Sequence, residues 1–147
     1  MTLTPKLTPK QVREKWVAAL RSGEYQQGTK FLEKDGKFCC LGVLCDLAVK
    51  EDVAKRERFV TGVVTGVVYY GKSLTEDRVL PDNVRRWAGL YGRSGDYGNA
   101  VDNLSLTRLN DTGSSFEEIA DLIENPPAGL FHGSDATSTE STISEGA

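Results

Sequence analysis

The segment Phe38-Cys39-Cys40-Leu41-Gly42-Val43-Leu44-Cys45-Asp46-Leu47 holds all three cysteines of the chain, one charged residue, and a glycine inside an apolar run. Water is a poor environment for so apolar a stretch, because each large aliphatic side chain gains about 1.5–3 kcal/mol on burial. Leu41, Leu44, Leu47 and Ala48 line one side at helical spacing. The segment therefore reads as the start of a buried helix, Cys40 to about Val53, entered from a hairpin strand. Gly42 costs roughly 1 kcal/mol there relative to Ala. Its presence points to close approach by another backbone or by a ligand. Cys39 and Cys40 are adjacent, and adjacent cysteines seldom pair because the bridge strains the backbone. The number of cysteines is odd, so all three read as reduced, mostly buried thiols.

Local signals place other elements around this helix. Thr8-Pro9-Lys10-Gln11 starts a helix: Thr8 caps, Pro9 suits the first position, and Gln11 reaches back in a capping box. Val12, Trp16, Ala19 and Leu20 mark its face, Trp16 is expected to anchor it to the core, and Gly23 is the stop. Asp35-Gly36 is a tight-turn signal between Lys30–Glu33 and Lys37–Cys39, which predicts a hairpin. Phe59–Tyr70 is rich in Val, Thr and Tyr and predicts two short strands, or one bent at Gly66. Leu80-Pro81-Asp82 opens a short helix that ends at Gly89. Tyr91–Asn99 is a Gly-rich loop, Leu104–Leu109 a brief helix, and Ser114 with Glu117 a second capping box before the last helix. Asn125-Pro126-Pro127 stops that helix. The predicted class is α+β: four or five short helices on a small, mainly antiparallel sheet.

At 147 residues the chain has room for one real core. The domain is placed at residues 7–125, with 126–147 a Ser/Thr-rich tail expected to be disordered because it has too little apolar surface to offset its ordering entropy. The tail carries Asp135, Glu140 and Glu145 and no Lys or Arg. Removing those three acids from the total of 21 leaves 18, against 18 bases, so the body is charge-balanced. Duplex DNA is thus an unfavoured partner. No apolar run reaches the roughly 18 residues of a membrane span, and Met1–Lys6 lacks a signal-peptide core, so a cytoplasmic protein is expected.

Catalytic constellations are thin. Cys39 or Cys40 at a helix N-terminus suggests an activated thiol, but the one histidine, His132, falls in the expected tail, and Asp46 lies six residues past Cys40. Cys39, Cys40 and Cys45 do not match a zinc knuckle, no phosphate loop is present, and no cofactor is called for. Leu109–Ala120 is similar to a helix-turn-helix pattern, Gly-x-Ser-x-x-Glu-Ile-Ala, with one extra residue between Ser114 and Glu118, but Pro126-Pro127 follow where a reading helix should. Candidate binding residues remain: Tyr25 and Gln27 after the first helix, Arg85 and Arg86 beside Trp87, and Tyr91, Arg93 and Tyr97 in the Gly-rich loop. Arginine with aromatics suits a phosphate-bearing or planar ligand; equally, these residues form a solvated basic face beside a core Trp. Asn110-Asp111 either cap helices and shape a turn or point into the site.

Four stretches carry a family resemblance: Trp16–Gln27, Phe38–Leu47, Leu80–Leu90, and Leu109–Glu124 with its Leu-Asn-Asp-x-Gly-x-Ser-Phe-x-Glu-Ile-Ala-Asp wording. Together they resemble a family of short, uncharacterised proteins of bacteriophage and prophage genomes. The resemblance implies a setting in the host-cell cytoplasm and a role in counter-defence. The expected function is binding without turnover: capture of a small nucleotide-type ligand, such as a host immune signal, at Tyr25, Gln27, Arg85, Arg86, Tyr91, Arg93, Tyr97, Asn110 and Asp111. The alternatives are a protein–protein inhibitor of a host defence enzyme, a hydrolase using Cys40 or Asp46, and a helix-turn-helix-like DNA binder. A homo-oligomer is compatible with any of these.

Overall fold

A computed structural model describes residues 7–70, 75–76, 79–97 and 104–131. The architecture is α+β. Helix α1 (Pro9–Arg21) is followed by three two-residue strands, β1 (Gln26–Gln27), β2 (Glu33–Lys34) and β3 (Lys37–Phe38), and then by α2 (Cys40–Lys50). A long hairpin, β4 (Lys55–Thr61) and β5 (Val64–Tyr70), leads through β6 (Thr75–Glu76) to α3 (Asp82–Ala88). Strands β7 (Asp96–Tyr97) and β8 (Leu104–Ser105) precede α4 (Leu106–Asp111) and α5 (Phe116–Glu124).

Helix α2 is the centre of the molecule. Cys40, Leu41, Gly42, Val43, Leu44, Cys45 and Ala48 are all buried, which leaves it apolar around most of its circumference. Gly42 makes this possible. A Cβ at that position would lie 1.7 Å from the Leu32 carbonyl oxygen, so the backbone before β2 crosses directly over the helix. The close approach expected at Gly42 is thus made by backbone. Helix α1 packs on α5, α2 and α3. Its Thr8–Gln11 capping box forms, and Trp16 is fully buried, with its indole N–H donated to the Cys40 carbonyl at 2.9 Å. A buried indole needs such a partner.

Several expectations shift in detail. Among the described residues the strands form three separate sheets, ordered β1-β3-β2, β4-β5-β6 and β7-β8, and antiparallel except for the β1–β3 pair. The strands around the Asp35-Gly36 turn are short because α2 begins two residues after β3 ends. The hairpin turns at Gly62-Val63, and Gly66 lies opposite Phe59. Helix α2 ends at Lys50, where Asp52 turns to φ +64°. The cap of α5 is Ser115 with Glu118, one residue later than Ser114 with Glu117. Packing also continues past residue 125: Leu130 and Phe131 are buried, and Phe131 bridges to Leu90. Leu130 and Phe131, assigned to the tail, therefore pack into the core. The rest of the expected disordered tail, 132–147, lies outside the described residues.

One buried polar cluster ties two sheets together. Glu33 on β2, 5 % exposed, accepts from the Arg56 guanidinium at 2.7 and 2.5 Å and from the Tyr69 hydroxyl at 2.7 Å. Burial alone would raise the Glu33 carboxyl, but the hydrogen bonds from Arg56 and Tyr69 outweigh it and hold it below the usual range. Burial, then the Glu33 bond, pushes the Tyr69 phenol well up.

Candidate functional site

The Asp35-Gly36 pair, with φ +54° and +80°, makes a tight turn with two left-handed residues. Asp-Gly is a preferred pair for that conformation. Beside it lies an open depression of about 320 Å³, lined by Gln27, Gly28, Thr29, Phe31, Lys34, Asp35 and Lys37. The lining brings two ammonium groups, one carboxylate and one aromatic ring together. Lys34 Nζ sits 5.1 Å from the Phe31 ring centroid, a cation–π distance.

Asn110 supports this depression from beneath. It is 1 % exposed. Its Oδ1 accepts from Gln27 Nε2 at 2.9 Å and from the Cys40 N–H at 3.2 Å, and its Nδ2 donates to the Gly28 carbonyl at 2.7 Å. Gln27 Nε2 also donates to the Ser114 carbonyl. Cys39, the N-cap of α2, makes no side-chain cap, so a residue 70 positions away satisfies the first N–H of the helix instead. Asp111 Oδ1 accepts from the Lys30 N–H at 2.8 Å, which holds Lys30 at φ +74°. Of the two roles open to Asn110-Asp111, capping and turn-shaping is the one these bonds describe.

Tyr25 flanks the same corner. Its hydroxyl donates to Asp46, its ring meets Phe38 edge-on at 5.1 Å, and Lys50 Nζ lies 3.4 Å from its oxygen. Burial and the Asp46 carboxylate raise its phenol. The remaining candidates belong to α3 and the loop after it. Arg85 is held by Asp82 at 2.9 Å and donates to the Leu90 carbonyl at 3.1 Å. Arg86 also pairs with Asp82, at 3.2 Å. The Arg85 bond holds the Asp82 carboxyl low. Arg93 Nε donates to the Leu80 carbonyl at 2.9 Å, and the Leu80 N–H returns a bond to Arg93. Tyr91 is exposed, and Tyr97 sits on β7 opposite Leu104.

The candidates therefore separate. Gln27 lines the depression; Tyr25, Asn110 and Asp111 brace the elements that carry it; Arg85, Arg86, Tyr91 and Arg93 stand on α3 and the loop after it, where Arg85 and Arg93 bind carbonyls of their own chain, and Tyr97 stands on β7. Phe31, Lys34 and Lys37 were visible in the sequence only as hairpin residues. A lysine on each side of the Asp-Gly turn was the available signal.

The three thiols are buried and free. Burial pushes Cys39 up to about 11, and Cys40 and Cys45 well above the ordinary value. A nucleophilic thiol needs the opposite shift. Counted from Ser115, the Gly-x-Ser-x-x-Glu-Ile-Ala spacing is unbroken, and it marks a capping box on α5. The exposed side of that helix carries Glu117, Asp121 and Glu124, all three bound to Arg21 of α1 at 3.1, 2.5 and 3.0 Å. A carboxylate row of that kind repels phosphate. Among the described residues no helix is long and apolar enough to cross a membrane.

Fold and side chains together define a small α+β protein that seals its thiols inside and presents a lysine- and aromatic-edged depression at a hairpin. The model of a family described as Domain of unknown function (DUF8296) matches residues 8–126, and the chain belongs to that family. No curated protein and no solved structure matches it.

Proposed function

We propose that this chain is a bacteriophage or prophage accessory protein, acting in the host cytoplasm, that captures a small anionic ligand of nucleotide type without turning it over. A host anti-phage signal fits that chemistry. The observation that carries the reading is the depression itself, where Lys34 and Lys37 supply charge, Phe31 an aromatic face and Gln27 a polar edge. Phosphate is met by ammonium groups and a planar base by a ring, and the volume lies at the lower end of small-ligand sites. High-pKa buried thiols support binding over thiol chemistry.

The test is native mass spectrometry of the purified protein after incubation with lysate of phage-infected cells. A small mass should be retained, released unchanged on denaturation, and lost in the K34E/K37E double variant. Retention that survives the double variant, or release of an altered molecule, would overturn the proposal. A bound host polypeptide with no small mass would instead support inhibition of a host defence enzyme.

A further inference from the structure

Among the described residues, strand β4 has an open edge. The sheet runs β4-β5-β6, so one side of β4 has no partner strand among the described residues. The hairpin closes on a two-residue turn with Thr61 opposite Val64. In such a hairpin the closing pair exchanges hydrogen bonds, and bonded and non-bonded pairs then alternate along the ribbon. Phe59, Glu57 and Lys55 therefore bond to β5, while the N–H and C=O groups of Arg56, Arg58 and Val60 point away from it. Among the described residues these three make no other backbone hydrogen bond. Residues 55–58 are exposed, as are Val60 at 72 % and Val63 at 100 %. Arg56 is tied to Glu33. Arg58, on the same face, adds a longer-range attraction to Glu33 but stands in no ion pair within 4 Å among the described residues.

We propose that this edge takes an extended, acidic segment of a partner protein as an added antiparallel strand. An alternating row of N–H and C=O groups is matched by another peptide backbone. A nucleic-acid backbone offers phosphate acceptors and leaves the carbonyls unmet. Arg58 selects a carboxylate opposite it, and Val60 selects an apolar residue two positions earlier in the incoming strand. A second copy of this chain fits worse. The antiparallel register that overlaps the whole of β4 is centred on Arg58, which would face itself, and like charges directly opposite are destabilising. The proposal does not depend on the small ligand proposed above.

The test is fluorescence anisotropy of the full chain titrated onto a blocked, labelled peptide, Thr-Val-Thr-Val-Thr-Glu-Thr-Glu, and onto its counterpart with Lys for Glu. The acidic peptide should bind saturably. R58E should weaken it about tenfold and improve binding of the lysine peptide. R58P removes an outward N–H but no bond between β4 and β5, so it should abolish binding with an unchanged circular dichroism spectrum. Four results would each overturn the proposal: no binding of the acidic peptide; binding that survives both variants; a single-stranded oligodeoxynucleotide bound with the same sensitivity to R58P; or self-association that R58P abolishes.

Discussion

Replacing Gly42 with alanine sets two known effects against each other. Helix propensity favours the change by up to about 1 kcal/mol at Gly42, the third residue of α2. Packing opposes it. The new Cβ would stand 1.7 Å from the Leu32 carbonyl oxygen and 2.6 Å from its carbon, where real contacts stay beyond 3.0 Å. The carbonyl must therefore retreat by more than an ångström. It accepts the Cys39 N–H at 3.2 Å, a bond that cannot follow such a shift. Leu32 itself is fully buried, and its neighbour Glu33 holds Arg56 and Tyr69. Overpacking costs about 1–3 kcal/mol, and a lost buried hydrogen bond about 1–2 kcal/mol. After the propensity gain, the net expectation for G42A is a loss of about 1–4 kcal/mol, centred near 2.5. That is a sizeable share of the roughly 5–15 kcal/mol a domain has. Urea unfolding followed by far-ultraviolet circular dichroism should show the midpoint falling by about 1 M, and the melting temperature should drop by roughly 8–12 °C. A midpoint equal to or above the parent's would refute the reasoning, because propensity would then have won and the carbonyl could not lie against the helix.

Two further predictions follow from the polar interior. N110D keeps shape but points a carboxylate oxygen at the Gly28 carbonyl, where the amide donated at 2.7 Å. The variant should be destabilised at neutral pH by about 2–3 kcal/mol. Its acid form can donate that bond again, so its folded pKa lies above the unfolded value and its relative stability should fall as pH rises through the carboxylate range; equal deficits at pH 4 and pH 7 in denaturant melts would refute this. Glu33 runs the other way. Its folded pKa lies below the unfolded value, so its contribution is present above the ordinary carboxylate range and is lost as pH falls through the folded value. E33Q should accordingly show a shallower loss of stability between pH 6 and pH 3 than the parent, and an identical slope would refute the assignment.

Much of the fold was legible because its signals are local. Thr8 and Gln11 cap α1 with reciprocal bonds spanning three residues, with Pro9 at the first helical position, and Asp35-Gly36 needs only its own backbone preferences to turn the chain. Gly89 ends α3 in the left-handed conformation, as its position predicted. The α5 cap was legible but displaced by one residue, because Ser114 and Ser115 each stand three positions before a glutamate. Gly42 announced a close approach without saying by what. The candidate site was far less legible. Arg85 and Arg93 look free in a sequence, yet the carbonyls they bind lie 5 and 13 residues away. Lys34 and Lys37 looked like ordinary hairpin residues until the chain around Gln27–Phe31 formed a wall beside them.

Local chemistry thus carries the α+β class, the burial of the Cys40–Cys45 stretch, the Asp35-Gly36 turn and most helix boundaries; the Gly62-Val63 turn of the long hairpin was not legible, the bend having been placed at Gly66. Each feature so carried depends on backbone preferences and on hydrophobic period, which are properties of neighbours in the chain. Other features depend on partners far apart in the chain: Asn110 capping α2 across 70 residues, Glu33 gripping Arg56 and Tyr69 across 23 and 36 residues, and the grouping of Gln27, Phe31, Lys34 and Lys37 at one surface. No local preference encodes those pairings. They exist because folding buries polar groups whose desolvation must be met by whichever donors and acceptors packing has brought within reach.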